Sequence, residues 1–370
     1  MQFQLPIVLA CGVAALGTAA FADVDFTQTN LVSDLAGEAA HQDTNLVNPW
    51  GIAIAPGAPI WIADNGTGLS TVYSGSGNIL PLVVKVAPPN GGSSSAPTGI
   101  IFNGTAAFGG STFLFATEDG TISGWSGGSS SILEVDSSPS GAVYKGLAAG
   151  VNSSSQSQLY AANFHSGNVD VFNSSFSPVT IPGGFTDPNL PGGYAPFDIQ
   201  NINGELYVTY ALQDSTKHDD VPGLGHGFVD VYTTDGVLVK RLITDDVLNS
   251  PWGLAIAPAS FGSFANDLLV GNFGDGMIHA YDPVSGKFIG TFNDSKGNPL
   301  AIEGLWGLAL GTGDFGTSKN ALYFTAGIPG PSGMVEDHGL FGSLVPVPEP
   351  GYYGLTALVA AALFFVKRRA

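Results

Sequence analysis

Pro49-Trp50-Gly51-Ile52-Ala53-Ile54 returns five more times along a chain of 370 residues, and that recurrence decides the fold. The further copies are Pro97-Thr98-Gly99-Ile100-Ile101-Phe102, Tyr144-Lys145-Gly146-Leu147-Ala148, Pro196-Phe197-Asp198-Ile199-Gln200, Pro251-Trp252-Gly253-Leu254-Ala255-Ile256 and Leu305-Trp306-Gly307-Leu308-Ala309-Leu310. Measured at the third position, successive copies lie 48, 47, 52, 55 and 54 residues apart. Each is followed by a second apolar run, such as Trp61-Ile62-Ala63 or Tyr160-Ala161-Ala162. A turn rich in Gly, Asn and Asp comes next, and then an alternating strand such as Val169-Asp170-Val171-Phe172. A unit of about 50 residues holding up to four short strands is one blade of a propeller. Small residues at the marker fit inner strands that converge on an axis and leave little room for side chains.

The sixth unit runs out after Phe341-Gly342-Ser343-Leu344-Val345, one strand short. A spare strand, Asp25 to Val32, precedes the first repeat, and pairing the two closes the ring and removes exposed sheet edges. No stretch between Asp23 and Pro346 shows a capped helical period. The expectation is therefore an all-β, six-bladed propeller over 23–346, latched by its N-terminal strand.

The flanks read as processing segments. Residues 1–22 are apolar and end in Ala20-Phe21-Ala22, the small-x-small pattern of a signal-peptide cleavage site. Cys11, the only cysteine, is lost with that leader, so no disulfide is expected. At 347–370, Val347-Pro348-Glu349-Pro350 precedes an apolar stretch, Gly351 to Val366, and a basic end, Lys367-Arg368-Arg369-Ala370. At 1.5 Å per residue that stretch spans about 24 Å, short of a hydrocarbon core of roughly 30 Å, which suits a transient membrane anchor. The formal charge is −19, and the tail holds three of the eleven basic residues, so the body is more acidic still. Phosphate backbones are repelled, and nucleic acid is not an expected partner.

These residues carry a resemblance. The repeat is similar to NHL-type propellers, and the tail resembles the PEP-CTERM signal that exosortases recognise and remove in bacteria. The strings Gln28-Thr29-Asn30-Leu31-Val32, Asn45-Leu46-Val47-Asn48-Pro49-Trp50-Gly51, Ala63-Asp64-Asn65-Gly66, Lys217-His218-Asp219-Asp220 and His338-Gly339-Leu340-Phe341-Gly342 resemble an uncharacterised bacterial family of such propellers. The resemblance implies export to the envelope, cell surface or extracellular matrix, with an exosortase-type sorting machinery as partner. It implies no activity.

Ligands are expected on one face, where the loops before the first strands and the loops after the second strands open around the channel. Trp50, Trp252 and Trp306, if exposed there, offer flat surfaces for sugars, with packing between blades as the alternative. Asp64, Asn163 and Asn272 stand at equivalent positions of blades one, three and five, and Asp198 replaces the marker glycine of blade four. Converging on the axis they could hold a calcium ion, which prefers carboxylate and amide oxygens; the alternative is that each caps its own turn. That set is similar to calcium-bearing lactonase propellers such as gluconolactonase and paraoxonase. Two long polar loops, in blades four and six, carry His218, Asp219, Asp220, His226, Glu336 and His338, where a histidine beside a carboxylate suits base or ligand chemistry. Gly124-Trp125-Ser126-Gly127-Gly128 and Gly311-Thr312-Gly313-Asp314-Phe315-Gly316 match nucleophile-elbow and dinucleotide patterns, but neither opens a helix. The leading expectation is a monomeric, exported binding protein for a carbohydrate or extracellular protein. The rival is a calcium-dependent hydrolase or lactonase.

Overall fold

The computed structural model describes residues 24–347 other than 245 and 332. The leader over 1–22 and nearly all of the tail over 347–370 lie outside the described residues. Six antiparallel sheets follow one another along the chain, at 49–85, 97–136, 144–179, 194–243, 251–291 and 305–346. Five have four strands in sequence order, and the sixth is completed from the N-terminus. Among the described residues helix is confined to three single 3-10 turns, and none of their helices is long and apolar enough to cross a membrane.

Second strands such as Ile60–Asp64, Phe113–Thr117 and Leu322–Ala326 are buried along their whole length, because a neighbouring blade covers each face. That two-sided burial is why they read as unbroken apolar runs. Outer strands such as Ile79–Lys85 alternate towards solvent. At the marker positions the blades nearly touch. A Cβ on Gly51 would lie 2.4 Å from the Thr98 carbonyl oxygen, and one on Gly307 would lie 2.6 Å from that of Trp50, so the same constraint runs around the ring and across its closure.

The latch forms as expected. Phe26–Ser33 pairs antiparallel with Leu340–Pro346, Phe26 opposite Pro346 and Ser33 opposite Leu340, with a bulge between Asn30 and Val32. A short parallel strand, His41–Gln42, then covers the outer edge. Phe26 anchors the latch to blade five, its ring centre 3.8 Å from that of Phe292 and 5.2 Å from that of Phe261. Burying such a side chain contributes about 1.5–3 kcal/mol. Apolar clusters fill all six seams between blades, and a seventh lies on the axis.

Candidate functional site

The axial cluster is a plug. Trp50, Trp252 and Trp306 are 2%, 4% and 1% exposed, and they pack on one another instead of opening to solvent. Trp50 and Trp306 stack at 3.5 Å, Trp252 meets both edge-on, and Phe273 stacks on the far side of Trp306 at 4.0 Å. This corrects the expectation of sugar-stacking surfaces at the mouth. Inner strands converge so closely that large rings pointing at the axis meet each other first.

A polar network lies over the plug. Trp306 Nε1 donates to Asn48 Oδ1 at 3.2 Å, and Asn48 Nδ2 donates to Glu336 Oε1 at 3.1 Å and to Asn65 Oδ1 at 3.3 Å. Asn65 Nδ2 donates to Glu118 Oε2 at 2.7 Å. Lys145 closes the circuit, donating from Nζ to Glu118 and, at 3.3 Å, to Asp219 Oδ1. Asp219 Oδ1 also meets His218 Nδ1 at 2.9 Å. Blades one, two, three, four and six all contribute, so only the closed ring assembles this site.

Burial and charge divide the roles. Lys145 is buried on the plug, its ammonium 4.9 Å from the Trp50 ring centre. Burial works against that charge, but Glu118 and Asp219 more than offset it and hold the group above its ordinary pKa. Asp219, hydrogen-bonded by His218 and facing Lys145, is pulled down to about 2, and the same bond raises His218. Burial raises Glu336 to about 7, with the Asn48 bond opposing and the Glu118 charge assisting. Burial also raises Asp220 to about 6, against the nearby Ser250 hydroxyl and Lys145. Carboxyls with pKa values pushed apart in one site are the arrangement that acid–base chemistry uses. Glu118, His218 and Asp219 each offer one ligand atom, and these lie within 4.8 Å of one another.

Of the six loop residues read from sequence, His218, Asp219 and Glu336 meet in this network, and Asp220 stands beside it. His338 does not join: its Nδ1 binds Asp34 Oδ2 at 2.6 Å and pins the blade-six loop to the closing segment. His226 folds onto its own loop, with Nδ1 2.8 Å from the Val221 carbonyl oxygen. Sequence reasoning missed Glu118 and Lys145. Glu118 sits in an ordinary-looking Glu-Asp-Gly turn. Lys145, however, precedes the marker, where the other five repeats carry Trp50, Thr98, Phe197, Trp252 and Trp306, and a lysine in that column was a readable signal.

The expected axial calcium set does not assemble. Asn163 caps its own turn, accepting from Ser166 N at 3.2 Å and Val143 N at 3.3 Å and donating to Asp170 at 2.9 Å. Asn272 donates to the Val247 carbonyl at 2.8 Å. Asp64 lies beside Thr71 within the blade. Their partners lie on third strands, hairpin turns and the segments entering the first strands, so each side chain is held within its own blade. Asp198 alone lines the axial cavity beyond the plug, a space of roughly 50 Å³ bounded also by Gly51, Gly99, Leu147, Gln200 and Gly307. There burial raises its carboxyl well above the ordinary range.

Fold and site together define a six-bladed propeller with a plugged axis and a titratable mouth. The chain belongs to the family of two proteins of Acanthamoeba polyphaga mimivirus. It is 35% identical over 316 residues to Uncharacterized protein R648, covering 80% of this chain and 75% of the relative. It is 33% identical over 335 residues to Uncharacterized protein L690, covering 85% and 84%. No family model matches. Among solved structures it resembles virginiamycin B lyase from Staphylococcus aureus, with a TM-score of 0.52 at 14% identity over 88% of this chain and all of that one. A streptogramin B lyase structure gives 0.50 at 12%, over 88% and 98%. At such identities the likeness speaks for the fold alone.

Proposed function

We propose that the channel mouth is an acid–base catalytic centre acting on small uncharged substrates with a polarised carbonyl, of the lactone or ester class. The observation that carries this reading is the convergence of Glu336, raised to about 7, and His218, raised by its bond to Asp219, around one Glu118–Lys145–Asp219 core. His218, oriented by Asp219, takes a proton from a water molecule as its oxygen bonds to the carbonyl carbon, and Glu336 in its neutral form gives its proton to the leaving oxygen as the acyl C–O bond breaks. Lys145 is a positioning residue that fixes Glu118 and Asp219 over the plug. An acidic body disfavours anionic substrates.

The test is turnover of a panel of lactones and aryl esters by the full chain. Active wild type and a loss of about 10²–10⁴-fold in kcat for Glu336→Gln and His218→Ala are expected. Absence of turnover, together with carbohydrate or peptide binding abolished by Glu336→Gln, would return the mouth to a receptor.

A second reading rests on the three ligand atoms of Glu118, His218 and Asp219. A divalent cation there competes with Lys145 for the same two carboxylates, so activity lost to chelator and restored by metal would favour it. Export belongs to the proposal as well. The Ala20-Phe21-Ala22 pattern and the Pro348-Glu349-Pro350 tail with its basic end support secretion, exosortase-type sorting and an envelope or matrix destination for a monomeric chain.

A further inference from the structure

Asp64 is fully buried, and neither of its carboxylate oxygens meets a hydrogen-bond donor. Thr71, across the hairpin, stands beside the carboxyl without reaching hydrogen-bond geometry, and its Oγ1 is buried and unpartnered too. A second acid faces the same spot. Asp43, also buried, adds its charge to the Asp64 environment and accepts from Tyr73 Oη at 2.9 Å. Two acids and an orphaned hydroxyl thus share a buried seam, where an unpaired carboxylate is strongly disfavoured.

Blade three shows how the same position is satisfied elsewhere. There the second strand carries Asn163 and the third carries Asp170; Asp170 Oδ2 accepts from Asn163 Nδ2 at 2.9 Å and from Tyr144 Oη at 3.0 Å. Thr71 occupies the register of Asp170, each lying opposite the residue two before the Asx on the second strand. In blade one the acid has moved to the second strand and the amide donor is gone. What remains is a carboxylate, Asp64, whose two oxygens have no hydrogen-bond partner, beside a Thr71 hydroxyl that has none either and an Asp43 carboxylate bonded by Tyr73 Oη and the Asn45 N–H.

We infer that this seam binds a hard divalent cation of the calcium class, held by the carboxylates of Asp64 and Asp43 and by Thr71 Oγ1. Oxygen-only ligands with at least two carboxylates are what calcium takes, and the ion supplies the positive charge that the protein does not. Its position gives it a role. Asp43 belongs to the closing segment, its N–H donating to the Ser33 carbonyl at 2.9 Å, whereas Asp64 belongs to blade one. The ion therefore ties the first blade to the last. The apolar part of the same seam joins Val32, Leu46, Tyr73, Tyr323 and Phe341.

The experiment uses the full chain, stripped with chelator and titrated with calcium chloride, reading bound calcium by mass spectrometry and the melting temperature in parallel. Wild type is expected to retain one calcium per chain and to melt several degrees higher with it. Asp64→Asn is expected to abolish both, and Thr71→Ala to weaken calcium binding at least as much as loss of an outer-shell partner, roughly 10–100-fold. Glu118→Gln with His218→Ala leaves the seam intact and should keep the calcium. If wild type takes up no calcium and Asp64→Asn melts at or above wild type, Asp64 is a buried neutral acid and the inference is overturned. It is equally overturned if the mouth variants, and not Asp64→Asn or Thr71→Ala, lose the ion. Should Asp64→Asn fail to fold, the Thr71→Ala titration decides alone. Lactonase activity is not a readout here, so failure of the mouth proposal leaves this result untouched.

Discussion

Lys145 holds its ammonium 4.9 Å from the centre of the Trp50 ring while it donates to Glu118 on one side and Asp219 on the other. The contact joins the apolar plug to the charged mouth, so neither can be altered without the other. Replacing the ammonium by an apolar group of similar length leaves Glu118, nearly buried, without its cation. Lys145→Met is therefore expected to lose about 3–5 kcal/mol in denaturant unfolding, and Lys145→Met with Glu118→Gln to regain a large part of it. An unchanged midpoint for the single variant contradicts this account.

Stability should fall as pH rises through neutrality. Between 4.5 and about 7 the folded chain keeps a proton on Glu336 that the unfolded chain has released, so the unfolded state binds fewer protons and the slope is negative. Asp220, raised to about 6, and Asp230, raised to about 7, act in the same direction. So does His218, whose raised pKa gives stability that is lost as pH climbs past its folded value. Asp219 acts at the acid end, where stability is lost as pH drops from 3.8 towards 2. Urea midpoints across this range should peak on the acid side of neutrality, and Glu336→Gln should reduce the fall between about 4.5 and 7 without removing it.

Trp306 is wedged between Trp50 and Phe273 and donates to Asn48, which in turn holds Glu336. Trp306→Ala is expected to cost about 3–5 kcal/mol by opening the plug. It should also loosen Glu336, so the midpoint of any pH–activity profile should move, which a purely apolar loss far from the mouth leaves in place.

Phe26 secures the latch. Phe26→Ala is expected to destabilise by about 3–5 kcal/mol. Deleting 24–33 exposes the edge of Leu340–Pro346 and should give concentration-dependent aggregates on size exclusion, because an unpaired strand recruits another chain. A stable monomer after the deletion argues against the latch.

The ring was legible because the repeat is physical: the marker glycines sit where two blades nearly touch, and the constraint prints a glycine on five of the six copies, with Asp198 in the other. The latch was legible from strand counting. The site was harder, since it departs from the repeat. Lys145 and Glu118 hold positions that other blades fill with plug or turn residues, and their partners come from loops with no periodicity. The tryptophans misled because aromatic residues near a channel suit both a sugar platform and a stopper, and only the spacing between blades separates the two. Asp64, Asn163 and Asn272 are equivalent in sequence, but strand alternation turns them into their blades instead of onto a common centre.

Asp25 and Val347 are hydrogen-bonded, carbonyl to amide at 2.8 Å, at the free end of the last sheet. The opening strand therefore finds its partner only when nearly everything else has been synthesised. At about 5–20 residues per second, the roughly 300 residues between them take on the order of 15–60 s. Through that interval the nascent protein is an open arc with two sticky rims, and its safety depends on whatever shields it from its neighbours.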